Sequence, residues 1–168
     1  MKSRTSNFAF VSLGSNLGDS RKIISGVMAR LQNFSDEPIL KSSLWQTSPV
    51  NCPADSPKFV NAIVGFVPPA NETPESLLTK LRELEIEFGR SQKKILNEPR
   101  PLDLDLIAFG NEIRKSPELI LPHPRACERR FVLQPLGEIA PDFILTGQGK
   151  TVSQLLAGLQ NHEIVTRL

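Results

Sequence analysis

The chain has 168 residues, 39% hydrophobic and 23% charged, with a formal net charge of +2. Those values suit one domain with its own apolar core and exclude a largely disordered chain. The charge is too small to argue for nucleic acid, no run is apolar enough to span a membrane, and Cys52 and Cys127 fit neither a disulfide framework nor a metal spacing. The segment before Gly14 lacks the apolar region of a signal peptide, so a reducing, cytoplasmic setting is expected.

Residues 7–13 (NFAFVSL) read as a strand stopped by Gly14-Ser15-Asn16. From Asp19 onward, Ile23, Ile24, Val27, Met28, Leu31 and Phe34 fall on one helical face, with Asp19 or Ser20 as N-cap. A second strand is expected over 39–46. TSPVNCPADSP, 47–57, has three prolines and no apolar period, which predicts a long loop. FVNAIVGFV, 59–67, is a buried strand whose one polar residue is Asn61. Thr73-Pro74 open a helix whose stripe is Leu77, Leu78, Leu81, Leu84 and Phe88, and Gly89 stops it. The basic loop RSQKKILNEPR, 90–100, feeds a strand that ends at Gly110-Asn111. A short apolar run at 119–121, a helix over 126–136 and a weak helix from Thr151 complete the pattern. No repeat or linker interrupts it, so a single domain spanning 1–168, one sheet with packed helices, is expected.

The strand RPLDLDLIAF, 100–109, carries two acids in an apolar run. Alternation sends Leu102, Leu104 and Leu106 to one face and Asp103, Asp105 and Ile107 to the other. The two carboxylates then open on the same side, with Cα atoms roughly 6–7 Å apart. A wet sheet face would tolerate them. Yet Asp is depleted from strands, and two like charges destabilise each other unless a cation lies between them. That cation is either Lys or Arg across the sheet or a hard divalent ion such as Mg²⁺. Basic residues crowd nearby: Arg90, Lys93, Lys94 and Arg100 on one side, and Arg125, Arg129 and Arg130 just after His123. Acids for metal and arginines for phosphate are the parts that phosphoryl transfer needs. GSNLGD, 14–19, lacks the lysine of a phosphate-binding P-loop and reads as a strand-to-helix turn.

SLGSNLGD (12–19), FVNA (59–62), LRELEIEFGR (81–90), PRPLDLDLIAFG (99–110) and LPHPRACERRFVLQPLGEIAPD (121–142) together carry a resemblance. In order and spacing the chain resembles the 6-hydroxymethyl-7,8-dihydropterin pyrophosphokinases of folate biosynthesis over nearly its whole length. The resemblance implies an α+β, ferredoxin-like fold with a largely antiparallel sheet flanked by helices. It implies transfer of the β- and γ-phosphates of ATP to the pterin hydroxymethyl oxygen, leaving AMP. Asp103 and Asp105 match the ligands of two Mg²⁺ ions, and Arg90 and Arg100 match arginines on the phosphates. Glu85, His123 and Arg129 match the ATP side, with Leu106 and Ile120 in the adenine pocket. Thr47, Val50, Phe59, Asn61 and Phe131 match the pterin site, which suits a flat heterocycle with a polar edge. The implied partners are the two small substrates, with no nucleic acid and no membrane. A monomer is expected, in weak association with other folate enzymes. The chain departs from many members at three places: Asn97 stands for a tryptophan, Gln92 for an arginine and Arg82 for a glutamine. These departures bear on how the basic loop closes on ATP, and they allow a relative that binds nucleotide without turnover. The loops 47–57 and 90–99 are expected to flank the site as lids. A nucleic-acid module on the same fold is the rival reading, but with 6% aromatics, no Tyr and two acids on the sheet it lacks the stacking surface.

Overall fold

The computed structural model describes residues 5–49, 51–92 and 95–168. The elements are β1 (Ala9–Ser15), α1 (Ser20–Leu31), β2 (Leu40–Lys41), β3 (Trp45–Thr47), β4 (Phe59–Phe66) and α2 (Pro74–Glu87). They continue as β5 (Asp103–Phe109), β6 (Arg114–Lys115), β7 (Ile120–Leu121), α3 (Arg130–Ile139), α4 (Val152–Gly158) and β8 (Val165–Arg167). Short 3-10 turns stand at Gln32–Phe34 and Ala126–Glu128.

Local chemistry sets the helix ends. The Asp19 carboxylate accepts the Lys22 N–H at 3.2 Å and caps α1. Thr73 and Ser76 form a reciprocal capping box around Pro74 at the start of α2. Gly89, with φ +95°, ends that helix in the left-handed region.

The main sheet runs β5-β1-β4-β3-β8, with β2 also on β4, and every pairing is antiparallel. Alternation splits the core in two. Val11, Leu13, Val64, Phe66, Leu104 and Leu106 face α1 and α2, where Ile24, Val27, Leu31, Leu77, Leu81 and Leu84 cover them. Phe10, Ile63, Ile107 and Ala108 face the other way, toward Val132, Leu133 and Leu136 of α3 and Val152 of α4. The helices of this second layer cover only that end of the sheet. At the other end Ser12, Gly14, Asn61, Asp103 and Asp105 line a cleft instead. The result is a ferredoxin-like α+β domain, as expected, with Leu104 and Leu106 buried and the acids on the opposite face.

Four differences from the sequence expectation have local causes. The strand over 39–46 is broken at Ser42, whose N–H donates to the Ile63 carbonyl while its hydroxyl accepts the Ile63 N–H, both at 2.9 Å. A side chain has replaced a ladder carbonyl there. The helix over 126–136 is interrupted at Arg129, which is extended at φ −110°, ψ 115°. The β6–β7 hairpin and β8 are too short to show a period, and both were unforeseen. Finally β5 carries a bulge: Phe10 pairs with Ala108 but Val11 with Leu106, so Ile107 is the extra residue.

Candidate active site

Three strands place the polar floor of the cleft. Gly14 lies opposite Asn61 on one side and Asp103 on the other, and Ser12 lies between Ile63 and Asp105 in the same way. Small residues at 12 and 14 leave space above the sheet between the amide and the acids. A Cβ on Gly14 would sit 3.2 Å from Asn61 Oδ1 and 3.6 Å from the Phe59 ring. Asn61 is 4% exposed and donates Nδ2 to Thr47 Oγ1 at 2.7 Å, which fixes the amide.

The acids are electrostatically unequal. Asp103 accepts Arg90 Nη1 at 2.7 Å on one oxygen and Arg100 Nη2 at 3.2 Å on the other. Arg90 also pairs with Glu85 Oε2 at 2.9 Å, while Glu85 Oε1 accepts the Leu104 N–H at 2.9 Å. Burial works against the Arg90 charge, but Asp103 and Glu85 outweigh it and raise its pKa. Asp105 forms no ion pair among the described residues. Burial, and then the neighbouring Asp103 charge, push its pKa up to about 6. Burial, followed by Arg125, lowers the pKa of Arg129, whose guanidinium lies 5.4 Å over the Phe131 ring. Arg100 lies 5.2 Å over the Phe59 ring.

Two cavities meet at this acid pair. One, of about 220 Å³, is lined by Thr47, Phe59, Asn61, Arg100, Arg129 and Phe131 together with Asp103 and Asp105. The other, of about 380 Å³, is lined by Glu85, Arg90, Leu106, Ile120 and His123 together with the same two acids. The residues expected to hold pterin therefore share the first cavity, except Val50, which lies outside the described residues. Those expected to hold ATP divide: Arg100 and Arg129 open on the first cavity and the others on the second.

His123 is held by its N–H on the Ile107 carbonyl at 2.9 Å, and its Nδ1 accepts the Arg125 N–H at 3.2 Å. Burial, and then Arg129 and Arg125, pull its pKa down to about 4. The ring is neutral at pH 7, so with Nδ1 accepting, the proton sits on Nε2.

The flanking loops touch each other. Asn97 Nδ2 donates to the Asn51 carbonyl at 2.7 Å, and both residues have positive φ, 54° and 52°. Asn97, expected as a departure, thus bonds the loop on the far side of the cleft. The contributors to the first cavity that were missed include Asn51, and Glu163 from the segment before β8. Neither stood out, because a single Asn in a loop and a single Glu near the end of the chain carry no spacing signal.

Paired acids, converging arginines and two adjoining cavities on a ferredoxin-like sheet have the shape and charge that group transfer between two small molecules needs. Residues 10–141 match the family described as 7,8-dihydro-6-hydroxymethylpterin-pyrophosphokinase. The 2-amino-4-hydroxy-6-hydroxymethyldihydropteridine pyrophosphokinase of Pseudomonas aeruginosa is 36% identical over 149 residues, covering 88% of this chain and 89% of that protein. The enzyme of the same name from Bacillus subtilis is 37% identical over 134 residues, covering 79% and 78%. The folic acid synthesis protein fol1 of Pneumocystis carinii is 35% identical over 92% of this chain, which spans only 20% of that protein. The crystal structure of wild-type Plasmodium falciparum HPPK-DHPS aligns with a TM-score of 0.69 at 13% identity, over 90% of this chain and 44% of that one. The chain belongs to the 7,8-dihydro-6-hydroxymethylpterin-pyrophosphokinase family.

Proposed function

We propose that the chain transfers the pyrophosphoryl group of ATP to the hydroxymethyl oxygen of 6-hydroxymethyl-7,8-dihydropterin, a step of folate biosynthesis. The observation that carries this reading is the acid pair shared by two cavities, one lined by aromatic rings and a buried amide, the other by apolar side chains and His123. Two substrates bound on either side of Asp103 and Asp105 bring their reacting atoms together there.

The donor chemistry fits magnesium. The acids offer hard oxygens, and among the described residues no group of three or more Asp, Glu, His or Cys forms a ready cage. Mg²⁺ typically takes one or two carboxylates and fills its other positions with phosphate oxygens and water. Two such ions on Asp103 and Asp105, when bound, supply neutralisation of the triphosphate charge. The residues of the chain do the rest. Phe59 and Phe131 hold the pterin ring, and Asn61, oriented by Thr47, reads its polar edge. Arg90 and Arg100 leave Asp103 in part to donate to phosphate oxygens, where a planar guanidinium binds with two parallel bonds. Neutral His123 donates from Nε2 to the nucleotide, and Leu106 and Ile120 pack on its base.

In the reaction the pterin hydroxymethyl oxygen forms a bond to the β-phosphorus. The bond from that phosphorus to the α,β-bridging oxygen breaks, AMP leaves, and the hydroxyl proton passes to solvent. Alignment and charge neutralisation supply the catalysis without a dedicated base. In this reading the chain acts as a monomer in the cytoplasm. Among the described residues no helix is long and apolar enough to cross a membrane. The test is incubation with ATP, Mg²⁺ and the dihydropterin: AMP is the expected nucleotide product, and ADP or no turnover refutes the reading.

A further inference from the structure

We infer that Asn16 is a positioning residue that holds Arg100 and the Phe59 platform in fixed relation; the inference rests on the pyrophosphokinase reading above. Asn16 stands in the turn after β1 and is 2% exposed. Its Oδ1 accepts the Arg100 N–H at 2.9 Å, and its own N–H donates to the Arg100 carbonyl at 3.1 Å. Both main-chain groups of Arg100 are thus taken by one residue. The pair lies beyond the last rung of the β1–β5 ladder and one residue out of its register, with a side chain standing in for a carbonyl. Asn16 Nδ2 then donates to the Pro57 carbonyl at 3.2 Å. Pro57 ends the long 47–57 loop, two positions before Phe59 at the start of β4. One buried amide therefore joins the approach to β5, which carries Arg100, to the approach to β4, which carries Phe59.

The turn itself does not need this amide. Gly18 takes the left-handed conformation at φ +81°, Asp19 caps α1, and Ser15 bonds Ser20 at 2.9 Å. The Asn16 side chain instead serves two segments far away in sequence. Their functional ends are in contact: the Arg100 guanidinium lies over the Phe59 ring and bonds Asp103. The Arg100 Nε is buried with no hydrogen-bond partner among the described residues, a donor open to an acceptor from a ligand. Moving either backbone shifts a phosphate-binding group against the pterin ring. Misplacement of reacting groups by about 1 Å lowers rates by about a hundredfold.

The test compares Asn16→Asp, Asn16→Ala and a control, Val27→Ala, in the α1 core away from the cleft. Asn16→Asp keeps the acceptor for Arg100 and loses the donor to Pro57; Asn16→Ala loses both. The readouts are calorimetry of pterin with a non-hydrolysable ATP analogue and Mg²⁺ present, hydrogen exchange at the Arg100 amide, and AMP formation. With Asn16→Asp, pterin affinity and kcat each fall about tenfold while the Arg100 amide stays protected. With Asn16→Ala, kcat falls about a hundredfold and the Arg100 amide exchanges faster. Val27→Ala lowers stability yet leaves pterin affinity and kcat within about twofold, as a distant packing change should. Asn16 variants whose pterin affinity and kcat match those of Val27→Ala overturn the inference. If Asn16→Ala does not fold, Asn16→Asp decides alone. A wild-type protein that forms no AMP refutes the functional reading; the calorimetric comparison still decides the role of Asn16.

Discussion

Replacing Asp105 by asparagine separates what this acid does to the fold from what it does for the reaction. In the ligand-free protein its pKa rises from 3.8 to about 6, because the carboxylate is partly buried and stands beside the charge of Asp103. A rise of about 2 pH units corresponds to about 3 kcal/mol, and partial exposure reduces this to about 1–3 kcal/mol. The sign follows from linkage. The folded protein holds this proton more tightly than the unfolded chain does. The stability it lends is complete below pH 3.8 and is lost as pH rises through about 6. The amide of the Asp105→Asn variant has no charge to bury. The variant should match wild type near pH 3.5 and exceed it above pH 7, by about 2–4 °C in Tm for each kcal/mol. Turnover should fall at least about a hundredfold, and the Tm increase given by Mg²⁺ with an ATP analogue should disappear. Urea or thermal denaturation at several pH values, beside the AMP assay, checks all of this. A variant no more stable than wild type at pH 7.5, or equally stabilised at pH 3.5, refutes the electrostatic reasoning. A variant that keeps more than one tenth of turnover refutes the role in catalysis.

Asp103→Asn should also abolish turnover, but with the opposite effect on stability. It loses ion pairs to Arg90 and Arg100 at 2.7 and 3.2 Å, so urea denaturation should show a loss of about 1–3 kcal/mol. Gly14→Ala should fold normally and raise the pterin KM about tenfold, because its Cβ presses on Asn61 Oδ1 at 3.2 Å; steady-state kinetics with an unchanged KM would exclude that crowding. The His123 ring resonances should stay constant in an NMR titration from pH 5.5 to 8 and move only around pH 4.

The sequence showed the second face of β5 and the residues on it because alternation needs only three or four positions to be visible. Asp103 and Asp105 stood out as charges breaking an apolar run, and their arginines as clusters in the adjacent loops. The inequality of the two acids was not legible. It depends on Arg90 and Arg100 both turning to Asp103, a matter of loop geometry. Asn16 was legible only as part of a turn, since its partners lie 84 and 41 positions away. The broken strand at Ser42 escaped for a related reason: a serine reads as a polar strand residue until its hydroxyl is seen taking a backbone donor. Short ladders such as β8 are made by pairing rather than propensity, so no local pattern announces them.

The irregularity in β5 has a consequence for how this fold tolerates change. Ile107 is surplus to the ladder with β1, and its carbonyl takes the His123 N–H. Deleting one residue there would give a smoother sheet, yet it would strip the docking point from the segment that carries His123. An insertion or deletion closer to Arg100 would exchange leucines for aspartates across the sheet and undo core and cleft together. Length variation along this strand is therefore blocked from both directions. Descendants of this chain can alter their chemistry by exchanging side chains there, but not by lengthening or shortening the strand that presents them.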